Sequence, residues 1–166
     1  RTVTVSPAST PATTQLLTNP GFESGTTGWS GTTSVIGTFS AEPAHAGTKC
    51  AFLCGKGKTT SQTLYQQVAI PSTASKATLN FYLHIDTAET GTKAYDTLKV
   101  QVRNSSGTVL STLGTFSNVN AASGYALKTY DLSAYKGQTI QVYLAASEDS
   151  TLQTSFVVDD FSLNVQ

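Results

Sequence analysis

The stretch ATLNFYLHI, residues 77–85, alternates apolar and polar side chains along its whole length. Ala, Leu, Phe, Leu and Ile take the odd positions, whereas Thr, Asn, Tyr and His take the even ones. A period of two is typical of a strand with one face in a core and the other toward solvent. The stretch therefore predicts a half-buried β-strand in which His84 points away from the core.

Similar segments follow along the chain, separated by turn-rich connectors. In residues 98–103, Leu, Val and Val alternate with Lys, Gln and Arg, and a turn at 104–107 leads into the next strand. No segment shows a convincing helical stripe, and the chain is rich in Thr, Ser and Gly. About ten strands at this spacing predict an all-β, antiparallel two-sheet sandwich.

The composition limits the size of the protein and its partners. A chain of 166 residues is long enough for a single domain to bury a core without disulfides. Only 12% of the residues are charged, with ten basic and ten acidic side chains, so we expect no nucleic-acid partner and no membrane partner. No apolar run approaches the roughly 20 residues that span a bilayer. These features favour a soluble, monomeric domain.

Residues 1–14 differ from the rest of the chain because they are rich in Ser, Thr and Pro and contain few large apolar groups. Such a segment can bury little surface, so it predicts an extended linker that is followed by the sandwich domain at 15–166. A disordered terminus with no neighbouring domain is the alternative.

The two cysteines lie in KCAFLCG, at positions 50 and 54. In a strand their Cα atoms are about 13 Å apart, whereas a disulfide requires less than about 7 Å. They bond to each other only if the strand breaks or turns between them, and we favour two free, buried thiols. A zinc site would need further ligands, and His45 and His84 have no metal-ligand spacing around them.

One carboxylate lies within an apolar strand. If residues 155–165 form a regular strand, Asp159 shares its face with the apolar residues at 157, 161, 163 and 165 and is carried toward the interior. A buried carboxylate must be protonated, paired with Lys or Arg, held by backbone N–H groups or bound to a metal ion. Because basic residues are few and oxygen ligands are many, Ca²⁺ is a candidate. A hydrogen-bonded core aspartate is the alternative.

Common catalytic motifs are absent from the sequence, including the Gly-x-Ser-x-Gly elbow, the His-Glu-x-x-His pair, the phosphate-binding loop and the dinucleotide fingerprint. Nothing places either histidine beside a nucleophile. Glu23, Glu89 and Glu148 are available as a glycosidase pair, but a sandwich this short seldom forms the cleft that such a pair needs. We therefore expect a domain that is not an enzyme.

Four short motifs together resemble the frame of carbohydrate-binding-module jelly rolls. They are LTNPGFE at 17–23, GW at 28–29, HAGTK at 45–49 and VVDDFSL at 157–163. The resemblance implies a jelly roll from residue 16 onward, with Trp29 packed inside, and a structural calcium ion that ties the first and last strands together. The implied ligands are the carboxylates of Glu23 and Asp159 and the carbonyl oxygens of Gly21, Ala46 and Lys49, with the carbonyl of Asp159 as a further one.

Longer motifs in the middle of the chain resemble the C-terminal accessory domains of secreted bacterial peptidases, including subtilisin-like and sedolisin-like ones. These motifs lie at 79–89, 94–98, 131–138 and 148–160. This resemblance implies an extracellular bacterial domain carried behind an N-terminal catalytic domain, which agrees with the composition of residues 1–14. The cysteine-containing stretch at 50–54 departs from the pattern of that group.

A second group of acidic residues is spread over two loops. Its members are Asp86, Glu89, Asp96, Glu148 and Asp149. If the loops meet at one edge of the sandwich, their carboxylates form a second oxygen-rich cation site, because a cation offsets their mutual repulsion. Two solvated acidic loops are the alternative, and the one that we favour.

The function expected from these features is binding to polysaccharide or another extracellular polymer. The polar face of the strand at 77–85 supplies the candidate contacts. They are Asn80, Tyr82 and His84, with Tyr65, Tyr95 and Tyr143 as weaker candidates. The alternative is a structural appendage that aids folding, secretion or stability of a secreted peptidase. An open polar and aromatic face favours binding, whereas a covered face favours the appendage.

Overall fold

The computed structural model describes Pro7 and residues 12–166. Eleven β-strands are described: β1 (Thr14–Gln15), β2 (Ser30–Gly31), β3 (Ile36–Gly37), β4 (Cys50–Cys54), β5 (Thr60–Ala69), β6 (Ala77–Thr87), β7 (Thr97–Asn104), β8 (Val109–Ser117), β9 (Ala122–Asp131), β10 (Thr139–Glu148) and β11 (Thr154–Val165). The expected linker at 1–14 lies largely outside the described residues, and its last residue already belongs to β1. Within the described part, no helix is long and apolar enough to cross a membrane.

The strands form two antiparallel sheets. One sheet has six strands in the order β3-β4-β11-β6-β9, with β1 added beside β11, and the other has five in the order β2-β5-β10-β7-β8. The architecture is a jelly-roll β-sandwich, which confirms the predicted fold class. Sequence patterning misses β2, because alternation cannot be read over a strand of two residues.

The core lies between the sheets and is built from the apolar positions of the alternating strands. In β6, Leu79 and Phe81 are fully buried, as the alternation predicts. The five-stranded sheet contributes Leu64, Val100 and Leu144, which are also fully buried. Each such side chain gains about 1.5–3 kcal/mol by leaving water. The core therefore decides which face of each strand remains available for other contacts.

An aromatic cluster holds residues 16–29, which we call the opening segment, against the last strand. Trp29 lies 4.9 Å from Phe22 and 5.3 Å from Phe161, measured between ring centroids. Its Nε1 donates a hydrogen bond to the carbonyl oxygen of Asn19 at 2.9 Å. The ring is buried with its polar group satisfied. Trp29 therefore has the packing role that the sequence predicts.

Cys50 and Cys54 are buried and unbonded at the two ends of β4, as expected. Burial raises the pKa of Cys50 to about 11 and that of Cys54 to about 12. Both side chains therefore remain protonated thiols at neutral pH and are poor nucleophiles.

Candidate functional site

The residues implied as calcium ligands meet at the loop between β3 and β4, residues 38–49, which we call the β3–β4 loop. At its C-terminal end, the backbone N–H groups of Thr48 and Lys49 donate to Oε1 of Glu23 at 2.9 and 2.8 Å. The hydroxyl of Thr48 donates to the other carboxylate oxygen at 3.0 Å. Glu23 is thereby fixed to this loop.

Asp159 contacts the same loop a few residues earlier. Its Oδ2 accepts from the N–H groups of His45 and Ala46 at 2.9 and 3.2 Å, and its Oδ1 accepts from the N–H of Asp160 at 2.8 Å. Two carboxylates that are far apart in the sequence therefore bind one short segment of backbone.

Two glycines allow this close approach. Gly47 has a φ of 66°, and a Cβ there would collide with the carboxylate of Glu23. A Cβ on Gly21 would lie 3.2 Å from Oδ1 of Asp160. The opening segment, the β3–β4 loop and β11 thus converge at one edge of the six-stranded sheet.

Asp159 is completely buried, but not in the core that a regular strand predicts. β11 pairs Asp159 with Tyr82, and its register shifts before Ser162 because one extra residue bulges out. Asp159 therefore lies on the outer face of the sheet, whereas Phe161 and the alternate residues after it face the core. The prediction of one shared face holds for Val157, which precedes the bulge, and is wrong for the residues at 161, 163 and 165, because the bulge inverts the alternation. The β3–β4 loop, rather than the core, covers Asp159.

The two carboxylates have different electrostatic surroundings. Burial raises the pKa of Asp159 to about 6, although the N–H groups of Ala46 and Asp160 act in the opposite direction. Glu23 is exposed, and the N–H groups of Lys49 and Thr48 lower its pKa. Among the described residues, no lysine or arginine forms an ion pair with Asp159. Three backbone N–H groups therefore hold this buried carboxylate, and a proton or a cation from solution would offset the charge that remains.

The donor set is compatible with calcium. Glu23 and Asp159 offer hard oxygen atoms with lone pairs beyond those used in hydrogen bonds. Throughout residues 12–166, no three His, Cys, Asp or Glu side chains are grouped so that they could hold a metal ion by themselves. Calcium would therefore depend on backbone carbonyls as well, the ligands that it commonly takes in proteins. In this structure Ala46 and Lys49 contact the carboxylates through their N–H groups.

The β3–β4 loop also covers two of the predicted ligand contacts on β6. The ring of His45 stacks on Tyr82 with centroids 3.6 Å apart, and its Nδ1 lies 2.6 Å from Oδ2 of Asp160. Nδ1 of His84 lies 2.8 Å from Oε2 of Glu42, which is itself buried. Tyr82 and His84 therefore contact the chain's own loop.

Two further contacts hold the loop in place. The hydroxyl of Tyr125 on β9 donates to the carbonyl oxygen of Pro43 at 2.8 Å. Phe39 packs on Phe52 with ring centroids 5.2 Å apart. The third predicted contact, Asn80, is half-buried opposite Ser162. The part of the outer face around Tyr82 and His84 is thus covered by the loop, whereas Leu127, beside Tyr82 on β9, stays exposed.

The second acidic group is partly assembled. Asp96 is completely buried and accepts from the N–H of Asp149 at 2.7 Å and from the hydroxyl of Thr154 at 2.5 Å. Glu148 is also buried, and its carboxylate accepts from the N–H of Gly57 at 2.9 Å. These carboxylates are therefore satisfied by hydrogen bonds, and the expectation of two solvated loops is wrong for them.

Glu89 and Asp86 complete that group. Burial and the charges of Asp149 and Asp96 raise the pKa of Glu89, whose Oε1 is enclosed and has no hydrogen-bond partner in the described part of the chain. Asp86 is exposed on β6 opposite Ser155. The second cation site stays a prediction.

The outer face of the five-stranded sheet presents rows of side chains across its strands, and we call it the open face. The middle row is Tyr65, Tyr143, Gln101 and Thr112, on β5, β10, β7 and β8 in that order. The flanking rows are Gln67, Gln141 and Arg103 on one side and Thr63, Ala145 and Lys99 on the other. The residues that alternate with these along each strand belong to the core, so these side chains point outward.

Contacts within the open face centre on Tyr143. The ring of Tyr65 lies 5.0 Å from it and is parallel within 12°. The guanidinium carbon of Arg103 lies 3.6 Å from the Tyr143 ring centroid. Arg103 also donates from Nε and Nη2 to Oε1 of Gln101 at 3.0 and 2.7 Å, and Gln101 donates to Thr112 at 3.3 Å. In the described residues, the side-chain hydrogen bonds of this face stay within it.

Sequence reasoning placed Tyr65 and Tyr143 only among the weaker candidates, and it missed Gln101, Gln141 and Arg103. The available signal was the polar half of each alternating strand, which predicts that these side chains face outward. What the sequence does not give is the order β5-β10-β7, which joins strands that are distant in the chain.

The fold is a jelly-roll β-sandwich, and the solved structures that resemble it include carbohydrate-binding modules. The module TmCBM61, solved in complex with β-1,4-galactotriose, superposes with a TM-score of 0.64 and 18% identity over 90% of this chain and 97% of the module. The K3 cleaved adhesin domain of Lys-gingipain from Porphyromonas gingivalis gives a TM-score of 0.57 and 15% identity, with coverage of 91% and 99%. The CBM22-1 xylan-binding domain of Paenibacillus barcinonensis Xyn10C gives 0.50 and 15%, with coverage of 87% and 90%.

At these identities the likeness concerns the fold alone. No protein-family model matches the chain, and no curated protein sequence matches it.

Proposed function

We propose that this chain is a non-catalytic accessory domain that binds polysaccharide through the open face. The observation that carries the proposal is the register of the five-stranded sheet, which brings tyrosine, glutamine and arginine side chains from separate strands into adjoining rows. A polar and aromatic face supports a binding domain, although Gln101 and Gln141 are buried among their neighbours and the face is on a different sheet from the one that the sequence favoured.

The chemistry of the open face suits a ligand rich in hydroxyl groups. Glutamine amides and tyrosine hydroxyls can each donate and accept hydrogen bonds. Gln67 is exposed and Tyr65 is half-buried, so both can be reached from solvent. Two of the structural neighbours are described with β-1,4-galactotriose and as xylan-binding, which supports polysaccharide as the ligand class.

The open face is suited to binding rather than cleavage. Glycoside hydrolysis normally requires a pair of carboxylates flanking the scissile bond. The three rows of the open face contain no Asp or Glu. A glycan bound there would meet no acid–base pair, so we propose retention of the glycan without turnover.

We further propose that a calcium ion binds at the β3–β4 loop. Glu23 and Asp159 would hold it, together with carbonyl oxygens from Gly21, Ala46 and Lys49. The bound ion would neutralise the buried carboxylate of Asp159. Its role is structural, because it would join the opening segment, the loop and β11 at one point.

We infer that the domain is extracellular, bacterial and carried behind an N-terminal catalytic domain, such as a secreted peptidase or another hydrolase. The support is the resemblance of the motifs at 79–89 and 148–160 to peptidase accessory domains and the Ser/Thr/Pro-rich composition of 1–14. The domain would act as a monomer that keeps its catalytic partner near a polymer.

The test is binding to a panel of soluble polysaccharides by affinity electrophoresis, followed by calorimetry. Tyr65→Ala and Tyr143→Ala should each weaken binding about tenfold, whereas Tyr95→Ala, an exposed tyrosine away from the open face, should not change it. If the unmodified domain binds no polysaccharide, the proposal fails and the structural appendage replaces it. Equal losses in all three variants would also contradict the assignment to the open face.

A further inference from the structure

The charges of the protein are distributed unevenly between its faces. The open face carries Lys99 and Arg103, which lie four residues apart on β7 and about 13 Å from each other along the strand. All ten acidic residues of the chain lie in its described part, and none is in the rows of the open face. The formal net charge of the whole chain is zero. The open face is thus locally positive on a neutral protein.

The aromatic rings of the open face are not free to stack on a sugar in the usual way. Parallel rings 5.0 Å apart are too close to lie side by side, so Tyr65 and Tyr143 are offset-stacked on each other. β5 and β7 flank β10 on opposite sides, which places Arg103 on the other face of Tyr143. Both faces of the central ring are therefore covered. The face offers ring edges, hydroxyls and cations to a ligand, rather than a flat aromatic platform.

Arg103 is held with part of its hydrogen-bonding capacity unused. A guanidinium has five N–H donors, and the Nε and Nη2 groups of Arg103 bind a single oxygen of Gln101. Thr112 fixes the orientation of Gln101 by accepting from its amide nitrogen. The Nη1 group and the second Nη2 hydrogen remain directed away from Gln101. They form a fork whose spacing matches the two oxygens of a carboxylate.

From these observations we propose that the open face recognises an acidic polysaccharide built from uronic acids, with Arg103 receiving a sugar carboxylate and Lys99, about 13 Å away along β7, attracting a second carboxylate further along the glycan. The inference rests on the proposed function, because it names the class of glycan that the same face takes. Stacking on Tyr143 and bonding to Gln101 hold the guanidinium before the ligand arrives, which lowers the entropy lost on binding. The remaining fork fits the two oxygens of a carboxylate, and it can also fit two oxygens of a tetrahedral anion, so a sulfated polymer tests which acidic group is preferred.

The experiment compares galacturonate oligosaccharides with the same oligosaccharides fully methyl-esterified, so that only the charge differs. Binding is measured by calorimetry at constant calcium and at two ionic strengths. Galacturonates should bind at least about tenfold more tightly than the esters, and higher salt should weaken only the acidic ligand. A sulfated neutral polymer of similar length is included as a third probe.

Variants then assign the charge to Arg103. Arg103→Gln should weaken galacturonate binding about tenfold or more, and Arg103→Lys should recover little of it, because the fork and the stacking are lost although the charge remains. Lys99→Gln should weaken binding by a few-fold. Lys58→Gln, which removes an equal charge from a loop outside the open face, should have no effect. Melting temperatures of all variants check that each remains folded.

Each other outcome has a defined meaning. Equal affinity for acid and ester, with Arg103 variants unaffected, overturns this inference but leaves polysaccharide binding intact. If Arg103→Lys binds galacturonate as tightly as the unmodified protein, or if the sulfated polymer binds more tightly than galacturonate, the assignment of Arg103 as a carboxylate-binding fork is wrong. Absence of binding to every polysaccharide overturns both this inference and the proposed function.

Discussion

On the six-stranded sheet, Tyr82 and His84 contact the β3–β4 loop, whereas on the five-stranded sheet Tyr65 and Tyr143 contact each other and Arg103 of the same face. Both pairs occupy the polar positions of alternating strands, and both sit among hydrogen-bonding neighbours. The difference is made by one loop and not by the strands. A period-two pattern therefore identifies an outer face, but it does not say whether that face meets solvent or the chain itself.

The largest effect should come from calcium at the covered face. Saturating calcium, at about a thousandfold excess over the dissociation constant, should stabilise the protein by about 4 kcal/mol relative to EDTA, because the ion binds only the folded state. Asp159→Asn should remove most of this difference in thermal unfolding, and Asp131→Asn, which changes an exposed carboxylate outside both candidate cation sites, should retain it. If neither calcium nor EDTA changes the melting temperature of the unmodified protein, the proposed calcium site at the β3–β4 loop is wrong.

The next largest effect concerns pH in the metal-free protein. Because the folded pKa of Asp159 is raised to about 6, its protonation favours the folded state. This contribution is complete below the unfolded pKa near 4 and is lost as pH rises through 6. Two pKa units correspond to about 3 kcal/mol, and lowering the pH from 7.5 to 5 in EDTA should recover about half of this amount, roughly 1.4 kcal/mol.

Comparison with Asp159→Asn isolates this carboxyl from the histidines. The variant should lose this part of the pH dependence in denaturant unfolding curves. Identical pH profiles for the two proteins would mean that burial does not affect Asp159 as described.

A smaller effect is expected where the loop is pinned to β6. Glu42→Gln keeps the size of the side chain but removes its charge beside His84, so it should cost about 2 kcal/mol of unfolding free energy. Polysaccharide affinity should not change, because the contact lies on the opposite sheet. A variant with unchanged stability and reduced affinity would reverse the roles of the two faces.

The smallest effect should be on the open face itself. Gln101→Ala leaves Arg103 on the Tyr143 ring but frees it from its hydrogen-bonded partner, so galacturonate affinity should fall by about 1 kcal/mol, roughly fivefold. Stability should change little. Gln153→Ala, an exposed glutamine in the connection before β11, is the matched control. Equal affinity of the two variants would show that Arg103 does not need to be held.

The sequence predicted those features that depend on local pattern. The alternation at 77–85 gave the buried and outward positions of β6, and the Gly-Trp motif gave the packing of Trp29. The resemblance carried by the motifs at 17–23 and 157–163 implied the pair of Glu23 and Asp159, and the structure does bring both to one loop. These features could be predicted because they depend either on residues that are close in sequence or on motifs that resemble a known family.

The features that could not be predicted depend on a single residue or on distant strands. The bulge after Asp159 places Asp160 at a φ of 48°. Aspartate can adopt this conformation but seldom does, so its presence in the sequence does not indicate a bulge. The loop that covers Tyr82 has no periodicity to read. The neighbours of Tyr143 come from β5 and β7, and only the assembled sheet decides which strands lie beside β10.

The bulge in β11 changes which positions of the strand face the core. Before it, the odd-numbered Asp159 faces the loop, and after it the odd-numbered Phe161 faces the core. Adding or deleting one residue there would therefore exchange the inside and the outside of the strand's last third. We therefore expect the segment between Asp159 and Ser162 to tolerate side-chain replacement far better than insertion, because only an insertion changes the register.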